Sequence, residues 1–472
     1  MIAGKHLLTD SQIHDFIVNG FITVKTDLPP SFHQEVYART TEIFEKEGNP
    51  GNNLLPRIPM INEVFEDPWV AGAFTSVLGP DYYMQPHRHC HPNLPHSKGQ
   101  NMHQDGGKRW SHKTRRLLVF YYPQDTPEEI GPTGIVPGSH YYNTVDGAII
   151  TAELPLYGQA GDVTLANYDL WHRAMPNQTE KTRYMMKFLY ARMSEPTQPT
   201  WNHQQANWDR VTASADSCYQ SEMHQQMYAS IWNWHLGVKK QQPERSYCHD
   251  SIATLIEALK AESEAECLTN AYALSRFGEP ILPDLADLLA DESGYGQRYA
   301  LYAMSVIGSP AVPDLINLAD HSNDSVRSCA METLGDIGTT ASSAVPEIIR
   351  TLKDESKEVR SKAAESLGII SSADSASDSN HRSVAISALS EALTDSHDRV
   401  RQNASMALCR VAPQSDTPVP ALKTALTDEN RYVRGNATHV LRRIDTPMAR
   451  EVLIDYLVQS RWCSLTTKES TH

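Results

Sequence analysis

Cysteine is sparse in this chain, and its spacing excludes whole classes of protein. The seven cysteines stand far apart, at Cys90, Cys218, Cys248, Cys267, Cys329, Cys409 and Cys463, with no Cys-x-x-Cys pair. An odd number at such intervals supports neither a disulfide framework nor a cysteine-held zinc site, and points to a reducing cytoplasm. No apolar run is long enough to cross a bilayer. The first ten residues lack the apolar stretch and small-residue cleavage site of a signal peptide, so no leader is expected. Cations are outnumbered, 42 Lys and Arg against 57 Asp and Glu, for a net charge of −15. That balance speaks against a general nucleic-acid or anionic-membrane binder. A length of 472 residues calls for two or three domains.

The first half reads as helices leading into short strands. Thr9-x-x-Gln12 has the form of a capping box, Ile13, Phe16 and Ile17 follow at helical spacing, and Gly20 is placed to stop the helix. Phe21–Val24 reads as a strand, 31–47 as a second helix and 48–58 as loop. Tyr82–His91 is extended, with His87, His89 and His91 alternating onto one face. Further strands are expected at 116–122, 161–166 and 183–190, separated by Gly- and Pro-rich turns. Such spacing predicts a sandwich or barrel with no βαβ units, closed by a Trp-rich extension over 191–238 that packs back on it.

From about residue 263 the texture changes. Val326-Arg327, Ala330 and Leu334-Gly335 recur as Val359-Arg360, Ala363 and Leu367-Gly368, then as Val400-Arg401, Ala404 and Leu408-Cys409, then as Val433-Arg434, Ala437 and Leu441-Arg442. Between them lie second helices opening on Pro283, Pro313, Pro346 and Pro420, where the missing N–H costs nothing. Neither helix of such a pair can bury its apolar face alone, so the pairs stack into an α-solenoid. The pattern resembles HEAT repeats, which implies a binding surface and a protein partner but no reaction.

Four features of the first half carry chemistry. His103-x-Asp105 puts an imidazole and a carboxylate on one face of an extended segment, enough to hold one edge of a divalent metal. Alone it is weak, because roughly one such pair is expected by chance in a chain this rich in His and Asp. Downstream stand Gly131-Pro-Thr-Gly-Ile-Val-Pro-Gly-Ser-His140, His172 after Gly161-Asp162, and Arg183 eleven residues beyond His172. A turn at Pro176-Asn177 is expected to return Arg183 on the strand next to His172. Ser139 and His140 read as turn residues, since no GxSxG elbow surrounds the serine.

In this order the features resemble the phytanoyl-CoA dioxygenase family of Fe(II)- and 2-oxoglutarate-dependent oxygenases, over about residues 8–238. The resemblance implies a double-stranded β-helix, that is, a jelly-roll barrel with flanking helices. It places the iron ligands and catalytic residues on His103, Asp105 and His172. It puts the anchor for the far carboxylate of 2-oxoglutarate on Arg183, with auxiliary contacts from Thr133 and Gln100. Two positions depart from the family pattern: Ile130 where Asn is usual, and Ala174 where some members have a co-substrate-binding Ser. A carboxylate at 105, which related halogenases lack, implies hydroxylation or desaturation.

The expected organisation is therefore a dioxygenase-like barrel with its cap at 1–238, a connecting segment at 239–262, a HEAT-like solenoid at 263–463 that folds on its own, and a tail at 464–472. The expected partners are a small-molecule substrate and O₂ at the barrel and a protein on the solenoid, with no nucleic acid and no membrane. The substrate pocket is expected to be walled by His89, His91, Trp110, Phe120, Tyr122 and Tyr168. Two other readings stand beside this one: a catalytically silent barrel on a HEAT scaffold, and a hydrolytic metal enzyme using the His87, His89 and His91 face.

Overall fold

The computed structural model describes residues 4–106, 111–148, 151–215, 224–238, 249–290, 296–372, 379–413 and 415–460. The chain opens with helix α1 (Asp10–Asn19), whose Thr9 capping box is fully formed and whose C-cap Gly20 takes a left-handed conformation. A side chain at 20 would also strike the His140 ring, so glycine is required there twice over. Strand β1 (Phe21–Lys25) and helix α2 (Pro30–Glu47) follow as expected. The segment read as loop instead carries a helical turn and α3 (Leu54–Arg57), then α4 (Ile61–Glu66) and α5 (Pro68–Leu78).

Two antiparallel sheets face each other. The larger has the order β1-β6-β3-β8-β2, with β2 (Tyr82–Asn93), β3 (Arg116–Tyr121), β6 (Asp162–Asn167) and β8 (Arg183–Arg192). The smaller is β5-β4-β7, from β4 (Thr133–Ile135), α6 (Val145–Ala148) in the loop, β5 (Leu154–Pro155) and β7 (His172–Ala174). This is a jelly roll. Period-two alternation sorts β3 between two cores: Leu117, Val119 and Tyr121 pack outward with the helices, while Leu118 and Phe120 fill the space between the sheets with Ile135, Met185 and Leu189. Helix α7 (Gln225–His235) packs back on α1, as does the segment around Trp201, whose Nε1 donates to Asp10 at 2.6 Å.

The remainder is the HEAT-repeat solenoid. One layer holds α9 (Glu264–Ser275), α11 (Gln297–Ile307), α13 (Asp324–Ile337), α15 (Lys357–Ile370), α17 (Asp398–Val411) and α19 (Arg431–Ile444). The other holds α8 (His249–Ala258), α10 (Leu282–Ala290), α12 (Val312–Leu318), α14 (Val345–Thr351), α16 (Ser379–Ala392), α18 (Val419–Ala425) and α20 (Pro447–Gln459). The recurrent Val-Arg arginine explains the period. Arg327 caps the carbonyls of His321 and Ser322 and forks onto Asp354 of the next repeat, as Arg360 does onto Asp395 and Arg401 onto Asp428. The Leu-Gly glycines let helices touch: a Cβ at 368 would lie 2.4 Å from that of Ala407.

The first of these layers lies against the barrel. Arg115 forks onto Glu195 at 2.7 and 2.9 Å and reaches Asp336 of α13 at 2.7 Å. Asp336 also takes bonds from Ser111 and Ser305. Arg116 pairs with Glu365 of α15, Arg410 of α17 donates to the Arg192 carbonyl, and Arg443 of α19 forks onto Asp81. The repeat helices thus dock on the barrel through buried charge, a contact beyond what a solenoid that folds on its own requires.

Candidate metal and co-substrate site

His103 and His172 are brought together by backbone pairing. His103 N–H donates to the His172 carbonyl and His172 N–H to that of His103, both at 3.0 Å, extending the smaller sheet by one antiparallel bridge. Each ring then spends its Nδ1 on a carbonyl two residues back, Asn101 for His103 and Leu170 for His172, both at 2.9 Å. A carbonyl only accepts, so both Nδ1 atoms carry the proton and both Nε2 lone pairs are left free. These Nε2 atoms stand 3.9 and 3.8 Å from the two oxygens of Asp105. The ligand atoms of His103, Asp105 and His172 all lie within 4.8 Å of one another, and no other such group of three occurs among the described residues. Burial holds the His172 ring down to about 4, so it stays neutral at ordinary pH.

Arg183 reaches the same cavity from the opposite wall. It begins β8, so it lies on the larger sheet and not, as the spacing suggested, on the strand beside His172, which pairs with β4. The side chain is 1 % exposed; its Nε donates to the Gly131 carbonyl at 3.0 Å, and one terminal nitrogen is buried without a partner. Burial lowers its pKa from the usual guanidinium value. Thr133 is buried and accepts from the Tyr122 hydroxyl at 2.8 Å. Gln100 is exposed and engages the Ala174 backbone. All three line one cavity of about 160 Å³ with His91, His103, Asp105, His172 and Lys187.

Lys187 escaped the sequence reading. It is four residues past Arg183 on a strand, hence on the same inward face, paired across β8 with His89 on one side and Phe120 on the other. It is 4 % exposed and its ammonium contacts the Asp105 carboxylate. Burial alone would raise the Asp105 pKa, but Lys187, with His172 and His103, lowers it below the ordinary value. The even offset from Arg183 was the available signal.

The rest of the expected wall is only partly there. His91 lines the cavity, and Phe120 sits with its ring centroid 5.6 Å from that of His172. Tyr168 instead lines a cleft between barrel and solenoid with Lys113, Arg116 and Glu332. Trp110 lies outside the described residues. Ser139 accepts from Trp171 N–H at 3.0 Å and His140 packs against Tyr141, structural roles as expected.

Comparison with known proteins agrees with this order. Residues 31–185 match the phytanoyl-CoA dioxygenase (PhyH) family, and residues 282–344, 313–378 and 386–462 match HEAT repeats. No curated protein sequence matches. Among solved structures, EvdMO1 is 18% identical with a TM-score of 0.33, over 38% of this chain and 49% of that one, so the likeness spans about half of EvdMO1. The non-heme alpha ketoglutarate dependent carbocyclase SnoK is 15% identical with a TM-score of 0.35, over 47% of this chain and 97% of its own. EctD from S. alaskensis, solved with 2-oxoglutarate and 5-hydroxyectoine, is 15% identical with a TM-score of 0.33, over 44% of this chain and 86% of its own.

Proposed function

We propose that this chain, which carries a phytanoyl-CoA dioxygenase domain ahead of HEAT repeats, is an Fe(II)- and 2-oxoglutarate-dependent oxygenase that hydroxylates or desaturates a small organic substrate. The observation that carries the reading is the pairing of two features in one cavity: a His-Asp-His cluster with both Nε2 lone pairs free, and a buried guanidinium with an unpartnered nitrogen facing it from the other sheet. The donor set fits ferrous iron, because two neutral imidazoles and one carboxylate leave three adjacent positions open. When bound, iron with 2-oxoglutarate supplies the oxidising power, decarboxylating the co-substrate to succinate as O₂ is consumed.

The chain's own residues do the positioning. His103, Asp105 and His172 would hold the metal, with the two backbone-held Nδ1 protons fixing each ring's orientation. Arg183 takes the distal carboxylate of 2-oxoglutarate in its planar fork, Thr133 adds a hydroxyl, and Gln100 borders the mouth. Lys187 steadies Asp105. Residues 1–238 form the catalytic unit and 263–463 the repeats, with α8 of the 239–262 segment packed on α9 as an added helix of the solenoid. The solenoid's outer helices remain the surface for a protein partner, since the inner ones are occupied by the barrel.

The test is succinate release coupled to 2-oxoglutarate consumption and oxygen uptake, screened against a metabolite library. Turnover lost in His172→Ala supports the reading. Iron and 2-oxoglutarate both failing to bind the parent would favour a silent barrel on a HEAT scaffold.

A further inference from the structure

A row of three histidines leaves the metal cavity and ends on the solenoid. His87, His89 and His91 stand on one face of β2, with ring centroids 4.5 and 4.4 Å apart. His91 lines the metal cavity, His89 pairs across the sheet with Lys187, and His87 meets Tyr432 of α19, Nδ1 to hydroxyl at 2.8 Å. Each ring has a buried nitrogen without a partner: Nε2 of His87, Nδ1 of His89 and Nε2 of His91. Three unpartnered imidazole nitrogens in a line are costly unless a ligand satisfies them.

Helix α19 is fixed at this end by several independent contacts. Tyr83 donates to Asn436 at 3.2 Å and stacks on His439 with centroids 3.8 Å apart, while Arg443 forks onto Asp81. Gly435 lies so close to β2 that a Cβ there would meet the Pro86 ring at 2.1 Å. Tyr432 is therefore held in place over the row. Its hydroxyl accepts from Arg431 at 3.2 Å and hydrogen-bonds His87 Nδ1 at 2.8 Å. His87 Nε2 is left buried on the far side of the ring, without a partner.

The charge of the region is positive on balance. Burial, then neighbouring cations, hold His87 and His91 down to about 3 and His89 to about 4; Lys187 acts on all three and Arg431 on His87 and His89. Among the described residues Arg431 has no carboxylate within ion-pair reach. In the cavity Arg173 is paired with Glu153, and Arg183 and Lys187 outweigh Asp105 by one charge; a divalent metal with dianionic 2-oxoglutarate would leave that excess unchanged. This positive site sits in a chain of net charge −15.

We propose that the substrate site is built by both domains: His91, His89 and His87 form its floor from the metal outward, Tyr432 and Arg431 of the solenoid close its far end, and the group bound there is a carboxylate or phosphate. The inference rests on the oxygenase reading for its metal end. The solenoid then acts as part of the catalytic pocket, selecting an anionic metabolite by reach and charge.

The test uses the full-length protein loaded with Zn(II) and saturated with 2-oxoglutarate, labelled with ¹⁵N-histidine, and titrated at fixed pH with inorganic phosphate and separately with acetate. Saturable shifts of the His87 and His89 ring nitrogens are expected, with phosphate or acetate dominating according to the anion the site takes. Arg431→Gln, a substitution at an exposed position, should weaken that binding at least tenfold while zinc and 2-oxoglutarate bind as in the parent. Histidine shifts that do not saturate, or that are equally tight in Arg431→Gln, overturn the proposal. If 2-oxoglutarate fails to bind while the histidines still titrate in an Arg431-dependent manner, the oxygenase reading fails and the two-domain site stands.

Discussion

His103 and His172 lie directly opposite each other, exchanging two backbone hydrogen bonds of 3.0 Å, so the strand pairing that extends the smaller sheet also sets the spacing of the two imidazoles proposed as metal ligands. Their ring centroids are 4.6 Å apart. Because backbone carbonyls fix both tautomers, the site is preorganised by elements that do not depend on a metal.

Replacing His172 with Ala should therefore abolish stoichiometric iron binding without unfolding the barrel, since the pairing runs through the main chain. Iron content after anaerobic loading, alongside circular dichroism, checks this. Full occupancy in the variant would remove His172 from the ligand set.

Lys187→Met leaves the Asp105 carboxylate in a largely enclosed site without its cation. Breaking a buried pair in this way costs roughly 3–5 kcal/mol. The loss should appear in the metal-free protein and shrink when a divalent ion binds, because the ion replaces the missing charge. Thermal unfolding with and without Zn(II) separates these states; an equal deficit in both would mean that Lys187 serves packing alone.

Docking of the solenoid should fail in acid. Burial raises the Glu195 pKa, but Arg115 outweighs it and holds the group near 2, and Asp336 is likewise held well below its ordinary value by Lys113 and Arg115. A depressed carboxyl contributes stability in full above its ordinary value of 4.5 and loses it as pH falls toward 2. The radius of gyration should rise over that window, and Asp336→Asn should move the rise to higher pH. No dependence on Asp336 would place the docking energy in the apolar contacts.

Much of this site was legible in the sequence. His103-x-Asp105, His172 and Arg183 fall together because the strand period and the turn residues that frame them are local signals. What spacing could not say was which sheet β8 would join, so Arg183 arrives across the barrel. Lys187 was legible but passed over as one basic residue in an apolar strand. The contact between barrel and solenoid was not legible at all: Arg115 and Asp336 are separated by 221 positions and each resembles an ordinary surface charge in sequence. Likewise the alternation of His87, His89 and His91 was plain, but its end on Tyr432 requires the docked repeats.

The central claim is that Arg183 receives the far carboxylate of 2-oxoglutarate at a ferrous site, and one titration tests it most directly. The Fe(II) protein is titrated with 2-oxoglutarate without oxygen, following the metal-to-ligand absorption band. Losing a charge-assisted contact in a buried pocket costs about 2–5 kcal/mol. Arg183→Ala should therefore weaken 2-oxoglutarate binding by roughly 30-fold to several thousand-fold, at about 1.4 kcal/mol per decade. Thr133→Val should cost about one decade, and iron affinity should hardly change in either. An Arg183→Ala protein that binds 2-oxoglutarate as tightly as the parent would contradict the account.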